Sequence, residues 1–253
     1  MLKKTDLPHF DFQAIGILQS PYQQRFGIPH QPGVSQGLFG IIQLKPDADF
    51  VTALKGLETF SHLWIVFVFH SHGGKKWKPS IRPPRLGGNK KIGLFASRSP
   101  HRPNPIGISA VKLEKIILDH PNGPQIHVSE VDLLDGTPIL DIKPYIPLAD
   151  KIDQANSGWA DIPVKKYRVQ VSVDAREDFK NFDPSGDLEK MAIAMIELDP
   201  RPAFQKRKIP VEDVLSVGRK FGIDILNFDA KYEIIDGGFL ITKVLIKKTS
   251  SRN

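Results

Sequence analysis

Short apolar runs, cut off by proline or glycine and separated by almost no helical periodicity, fill the first half of the chain. Residues 12–19, 38–44, 62–69, 92–96, 109–118, 125–134 and 139–144 each have strand length and a branched or aromatic content that suits a pleated surface. Residues 47–57 alone break the pattern, with Ala48, Val51, Leu54 and Leu57 at helical spacing. The run 62–69 is apolar on both faces and is expected to be a central strand. Strands do not alternate with helices, and no G-x-G-x-x-G follows a strand, which argues against a doubly wound nucleotide fold. Six or seven short strands instead predict a mainly β architecture, a small closed antiparallel barrel or a sandwich.

The second half reads differently. Residues 187–198 carry Leu188, Met191, Ala192, Met195 and Ile196 as one helical stripe, with Asp187 as the expected cap and Pro200 as the stop. Strands are expected at 167–173, 221–228, 231–235 and 239–246, the last two joined by a hairpin turn at Asp236-Gly237-Gly238. The chain therefore divides into a barrel over residues 10–150, a polar linker over 149–159, and a small α+β unit over 163–250. With 253 residues there is enough chain for one large or two modest cores. The absence of cysteine excludes disulfides and thiolate metal sites. No apolar leader follows Met1, and the longest apolar run, 63–69, is too short to span a bilayer. A cytoplasmic protein without a membrane partner is expected.

Charge is concentrated. Residues 59–113 contain ten Lys and Arg and no Asp or Glu, although the whole chain has 35 basic and 28 acidic residues; the remainder is thus 25 basic against 28 acidic. A surface kept free of carboxylates over so long a run is a footprint for a polyanion. Within it, residues 93–109 begin and end as strand. Between lie Pro100, Pro103 and Pro105, which stiffen the link, and Arg98 and Arg102, whose planar forks suit an anionic group. The preceding loop, 73–89, carries Lys75, Lys76, Trp77, Lys78, Arg82 and Arg85. Cations beside an exposed aromatic suit single-stranded RNA, and neutralising Lys75, Lys76 and Lys78 is expected to flatten the salt dependence of RNA binding. The competing reading of this loop is a solvated, flexible connection.

Three smaller features carry chemistry. His70 and His72 follow the central strand, but without cysteine or a nearby carboxylate no metal site is expected. Asp135-Gly136-Thr137-Pro138 is a tight turn, in which Asp135 is either only a turn residue or an acceptor for a ligand amine. Arg201 and Phe204 lie on the stiff segment Asp199-Pro-Arg-Pro-Ala-Phe204, which is either a helix stop or a clamp for an unstacked base.

The segment Phe95-Ala-Ser-Arg-Ser-Pro-His-Arg-Pro-Asn-Pro-Ile-Gly107 resembles the signature of the TrmO (TsaA-like) family. Ser20-Pro-Tyr22, His30-Gln-Pro-Gly33, Phe60-Ser-His-Leu-Trp64, the run from Asp135 to Tyr145 and the segment from Asp199 to Phe204 stand in the same order. The resemblance spans residues 11–245. It implies an S-adenosylmethionine-dependent tRNA methyltransferase that acts on N6 of threonylcarbamoyladenosine at position 37 of the anticodon loop. It also implies a small β-barrel, a homodimer, and a cofactor bound in loops near the subunit interface. Cofactor contacts then fall on Gln31, Pro32, Gly33, His70, Ser71, Arg98, Ile108, Asp135, Gly136, Thr137 and Pro138. Arg98 is expected to pair with the methionine carboxylate and Asp135 with the adenine or amine. His70 and Asp141 are the candidates for a general base. Lys75, Lys76, Trp77, Lys78, Arg82, Arg85, Arg102 and Arg201 are expected on tRNA. A barrel cut near residue 162 is expected, if it is soluble, to keep the cofactor and lose tRNA methylation. Two alternatives stay open at this point: a non-catalytic RNA-binding barrel, and a phosphate-handling hydrolase that would need a metal.

Overall fold

The computed structural model of the chain describes residues 7–24, 27–28, 38–72, 77–161 and 163–247. Its first half contains β1 (Gly16–Gln19), β2 (Phe39–Leu44), α1 (Ala48–Ala53), β3 (His62–Val68), β4 (Ser80–Ile81), β5 (Ile92–Gly93), β6 (Ile106–Ile117), β7 (Gln125–Ser129) and β8 (Thr137–Pro144). Six of these strands close a barrel in the order β1-β2-β7-β6-β3-β8, and every neighbouring pair is antiparallel. Closure pairs every strand on both sides and leaves no edge.

In β3, Leu63, Ile65 and Phe67 point inward while Trp64, Val66 and Val68 are half-exposed. The strand alternates, where burial on both faces was expected, because a closed barrel has one interior face. The outward Trp64 packs on Tyr145 with ring centres 5.4 Å apart. Phe67 lies across Gly107 of β6, its register partner; a β-carbon there would sit 2.3 Å from the ring. Gly107 thus lets an aromatic side chain lean over its neighbouring strand.

Several strands are shorter than the sequence suggests. The expected run 92–96 is strand only to Gly93 and then a 3-10 turn, Leu94–Ala96. The run 125–134 leaves the ladder after Ser129, where Glu130 adopts φ 61°. The basic loop is not structureless: β4 pairs with β5, and Pro84–Leu86 forms a 3-10 turn.

The second half holds α2 (Pro147–Asp150), β9 (Arg168–Val171), α3 (Val173–Phe182), α4 (Asp187–Ile196), α5 (Ala203–Lys208), β10 (Lys220–Ile225), β11 (Phe228–Ile235) and β12 (Gly238–Ile246). Its sheet runs β10-β11-β12-β9, with β9 parallel to β12. Helix α3 has no counterpart in the sequence reading, which extends the preceding strand to Val173; Ser172 caps it by accepting from the Ala175 amide at 3.2 Å. Helix α4 is capped differently from expectation. Gly186 is the cap residue, and Asp183 Oδ2 accepts from the Leu188 amide at 2.7 Å, while Asp187 lies within the first turn.

Two cores form, and they do not divide where the sequence divides. The barrel core contains Leu18, Ile42, Leu63, Ile65, Ile126 and Ile139. The second core contains Phe179, Met195, Tyr232 and Phe239, together with Tyr22 and Leu38 from the first half. Tyr22 forms a β-bridge with Ile225, and the Leu226 amide donates to the Pro21 carbonyl at 3.1 Å. The barrel therefore plants two of its own apolar residues in the other unit.

Candidate active site

The proline loop is rigid because it hydrogen-bonds to itself. Ser97 Oγ donates to the Leu94 carbonyl at 2.7 Å, and the Arg102 amide donates to Pro100 at 2.8 Å. Arg102 Nη1 donates to the Ser97 carbonyl at 2.8 Å, and its guanidinium lies 5.5 Å from the Phe95 ring centre. Arg102 thus braces the loop, and it lies outside the lining of the basic groove. The loop joins the barrel where the Phe69 amide donates to Pro105 and the Lys78 amide to His101, at 2.8 and 3.1 Å.

This scaffold presents Arg98 to a cavity of about 310 Å³ at the end of β3. Phe67, Phe69, Ile108, Leu133 and Leu134 supply apolar walls; His70, Ser71, Arg98, Asp132 and Thr137 supply polar groups. On the other side of Arg98 and Pro100 opens a groove of about 1090 Å³, lined by Lys78, Arg82, Arg85, Lys91, Arg98 and His101, with no carboxylate lining it among the described residues. Arg98 and Pro100 form a wall common to both spaces. The far wall comes from the expected linker. Trp159 Nε1 donates to the Ala96 carbonyl at 2.8 Å, and Arg85 Nη2 donates to Ala160 at 3.0 Å. From α5, Arg207 Nη1 reaches the Gly87 carbonyl at 3.1 Å.

Of the expected ligand contacts, His70, Ser71, Arg98, Ile108 and Thr137 line the cavity. Gln31, Pro32 and Gly33 lie outside the described residues, as do Lys75 and Lys76. Asp135, Gly136 and Pro138 do not line it. Asp135 Oδ1 accepts from the Ser20 amide at 2.9 Å, its own amide donates to Tyr22, and Gly136, at φ 74°, turns the chain into β8. These residues hold the turn that places Thr137. Asp141 lines neither space; it pairs with Lys143 at 2.8 Å, half-exposed on β8, and so loses its standing as a candidate base.

Among the expected RNA contacts, Lys78, Arg82 and Arg85 line the groove, and Trp77 is 45% exposed outside its lining. Arg201 is corrected. It is 4% exposed, and its Nε and Nη2 hold both carboxylate oxygens of Asp199 at 2.7 and 2.8 Å. Nη1 donates to Ile209, and the guanidinium lies 4.9 Å from the Phe221 ring centre. A guanidinium satisfied on every side inside the core does not clamp a base.

The residue that sequence reasoning missed is Asp132. It accepts from Ser109 Oγ at 2.5 Å. Burial lifts its pKa from the ordinary carboxylate value to about 6, against the lowering effects of the Ser109 hydroxyl, its own backbone amide and the Arg98 charge. The expectation that Arg98 has no carboxylate nearby holds along the sequence but not in space. The signal was present: one acid within the apolar run Val131-Asp-Leu-Leu134. Behind the cavity, the Tyr22 hydroxyl is the buried side-chain atom without a hydrogen-bond partner among the described residues. Burial, and secondarily the Asp132 charge, push its phenol pKa up.

The polar set fits one kind of small ligand. Arg98 suits a carboxylate, and the Phe67–Phe69 pair, 4.9 Å apart edge to face, a flat ring. S-adenosylmethionine carries both. Among the described residues no three His, Cys, Asp or Glu side chains are grouped to hold a metal.

Fold and site together define a barrel enzyme type in which a small cavity with mixed apolar and polar walls adjoins a larger basic groove. Residues 17–151 match the family model for the tRNA-methyltransferase O N-terminal domain, and residues 164–247 that for the TrmO C-terminal domain. The chain belongs to the TrmO family. It is 35% identical over 232 residues to an Escherichia coli K12 tRNA (adenine(37)-N6)-methyltransferase, covering 91% of this chain and 95% of the relative. It is 39% identical over 223 residues to a Pseudomonas aeruginosa PAO1 protein with the inferred name S-adenosylmethionine-dependent methyltransferase RcsF, covering 86% and 90%. The crystal structure of TrmO from Pseudomonas aeruginosa superposes with a TM-score of 0.76 at 30% identity, over 95% of this chain and 100% of that one.

Proposed function

We propose that this chain transfers a methyl group from S-adenosylmethionine to N6 of adenine 37 in the anticodon loop of tRNA, on an adenine already carrying the threonylcarbamoyl group. The observation that carries this reading is the common Arg98–Pro100 wall between the smaller cavity and the basic groove. A nucleotide held in the groove needs to cross only that wall to meet a ligand in the cavity. The E. coli relative is named for this reaction.

Bound S-adenosylmethionine supplies a methyl group already activated by its sulfonium, so alignment carries much of the rate. Arg98 anchors the carboxylate end through charge-assisted hydrogen bonds. Phe67, Phe69, Leu133 and Leu134 give the cavity apolar walls for the uncharged parts of the cofactor. Lys78, Arg82, Arg85 and Lys91 hold phosphates along the groove. A purely RNA-binding barrel has no use for a buried carboxylate beside an arginine in an apolar cavity. The homodimer and the cytoplasmic location belong to the same reading; sedimentation of the purified chain tests the former.

Calorimetric titration of S-adenosylmethionine, followed by methyl transfer to tRNA with and without threonylcarbamoyladenosine, tests the function. Saturable binding and transfer to the modified tRNA alone are expected. Arg98→Ala should weaken cofactor binding by about tenfold or more, the effect of losing a charged hydrogen bond worth roughly 1.5–3 kcal/mol. Absence of saturable binding by the unaltered protein would overturn the reading.

A further inference from the structure

We propose that Asp132 accepts the proton that N6 loses as the methyl group arrives. The inference rests on the methyltransferase reading above.

The chemistry demands such a group. An N6 that carries a carbamoyl substituent has its lone pair drawn into the carbonyl and keeps one hydrogen. Methylation at that nitrogen must remove the hydrogen as a proton. The bond from sulfur to the methyl carbon breaks, and its electron pair stays on sulfur as a thioether. The new N6–carbon bond uses the pair that the N–H bond releases. The proton moves to the Asp132 carboxylate and then leaves to water through the open groove. No oxidant, reductant or further reactant enters.

Geometry selects Asp132. Among the described residues it is the single carboxylate lining the cavity. After β7, Glu130 takes a left-handed conformation, and buried Val131 and Leu133 pin the chain on either side of Asp132. Ser109 Oγ, from the neighbouring β6, fixes one carboxylate oxygen at 2.5 Å. The charged and titratable groups facing it are Arg98 from the proline loop, the Tyr22 phenol from the segment after β1, and His70 beyond the end of β3. Arg98 lies in the wall common to cavity and groove, so the carboxylate stands near the place where a groove-bound base would meet the cofactor. Burial supports the assignment, since a carboxylate with its pKa near 6 is ionised at neutral pH yet more basic than an exposed one.

The rival role for Asp132 is to anchor the cofactor's ammonium group, and the experiment separates the two. Asp132→Asn is compared with the unaltered protein in S-adenosylmethionine affinity by calorimetry, in single-turnover methylation across pH, and in the carboxyl ¹³C resonances of the ligand-free proteins. Near-normal affinity, a methylation rate lowered about 10²- to 10⁴-fold, and loss of the acid limb are expected. In the unaltered protein one aspartate resonance should titrate near 6 and vanish in the variant. Ser109→Ala gives a second arm should Asp132→Asn not fold. It removes a hydrogen bond that lowers the Asp132 pKa, so the acid limb and the resonance should both move to higher pH. Loss of cofactor affinity in Asp132→Asn with an unchanged acid limb would assign the anchor role and overturn the proposal. An unchanged rate in Asp132→Asn, or an unmoved limb in Ser109→Ala, would overturn it too. Failure of the unaltered protein to bind S-adenosylmethionine would instead overturn the methyltransferase reading, and this inference with it.

Discussion

Replacing Arg201 with methionine should unfold the second core before it affects RNA. In the native protein Arg201 is held by both oxygens of Asp199 and by the Ile209 carbonyl, and it lies between Phe221 and Phe239. Methionine fills most of the same space, so little cavity forms. What remains is the Asp199 carboxylate, 5% exposed and without its counter-charge. Stranding one partner of a buried pair costs about 3–5 kcal/mol, a large share of the roughly 5–15 kcal/mol that holds a typical domain together. Urea denaturation should show the midpoint of Arg201→Met falling accordingly. Adding Asp199→Asn should restore most of the loss, because asparagine tolerates the left-handed conformation of this position (φ 53°) and brings no charge. At a temperature where Arg201→Met stays folded, its tRNA affinity should match that of the unaltered protein. A variant of native stability with tRNA affinity down tenfold would refute this account and reinstate Arg201 as an RNA clamp.

Neutralising Arg82 and Lys91 with glutamine should weaken tRNA binding and reduce the slope of log affinity against log salt by about 0.7–0.9 for each phosphate left without its cation, with cofactor affinity unchanged; an unaltered slope would remove the groove from the RNA path. Asp132 makes stability depend on pH: its folded pKa of about 6 exceeds the ordinary 3.8, so its contribution is fully present below 3.8 and is lost as pH rises through 6. The difference of about 2 units corresponds to roughly 3 kcal/mol, by which Asp132→Asn should gain on the unaltered protein between acid and neutral pH; a pH-independent difference in denaturation midpoints would contradict it. A barrel ending at residue 161 should aggregate, because Tyr22 and Leu38 would leave a core where each is fully buried, exposing side chains whose burial is worth about 1.5–3 kcal/mol apiece. A monodisperse truncated barrel that binds S-adenosylmethionine would show the two units to be separable.

The sequence by itself determined what depends on local rules. Short apolar runs, cut by proline and glycine and not alternating with helices, made the mainly β architecture readable, while the alternation of burial within β3 came from closure of the barrel. The carboxylate-free run supplies the basic side chains that line the groove, Lys78, Arg82, Arg85, Lys91 and Arg98. The stiffness of the loop from Arg98 to Pro105 was legible in its three prolines, to which the fold adds the Ser97 and Arg102 hydrogen bonds, and cavity and groove meet at its wall. Tertiary structure decided everything that depends on which distant residues meet. Asp132 is unremarked in its apolar run until β6 brings Ser109 to it and the proline loop brings Arg98; burial then changes its acidity. Arg201 and Arg102 look like free guanidinium forks in the sequence, yet one is satisfied by Asp199 within the core and the other braces its own loop. The sequence marks a linker near residue 150, but Tyr22 crosses that division to pair with Ile225, about 200 residues away. Composition records which groups a chain carries. Only the fold decides whether a charge meets water, a counter-charge or an apolar wall, and that choice sets its chemistry.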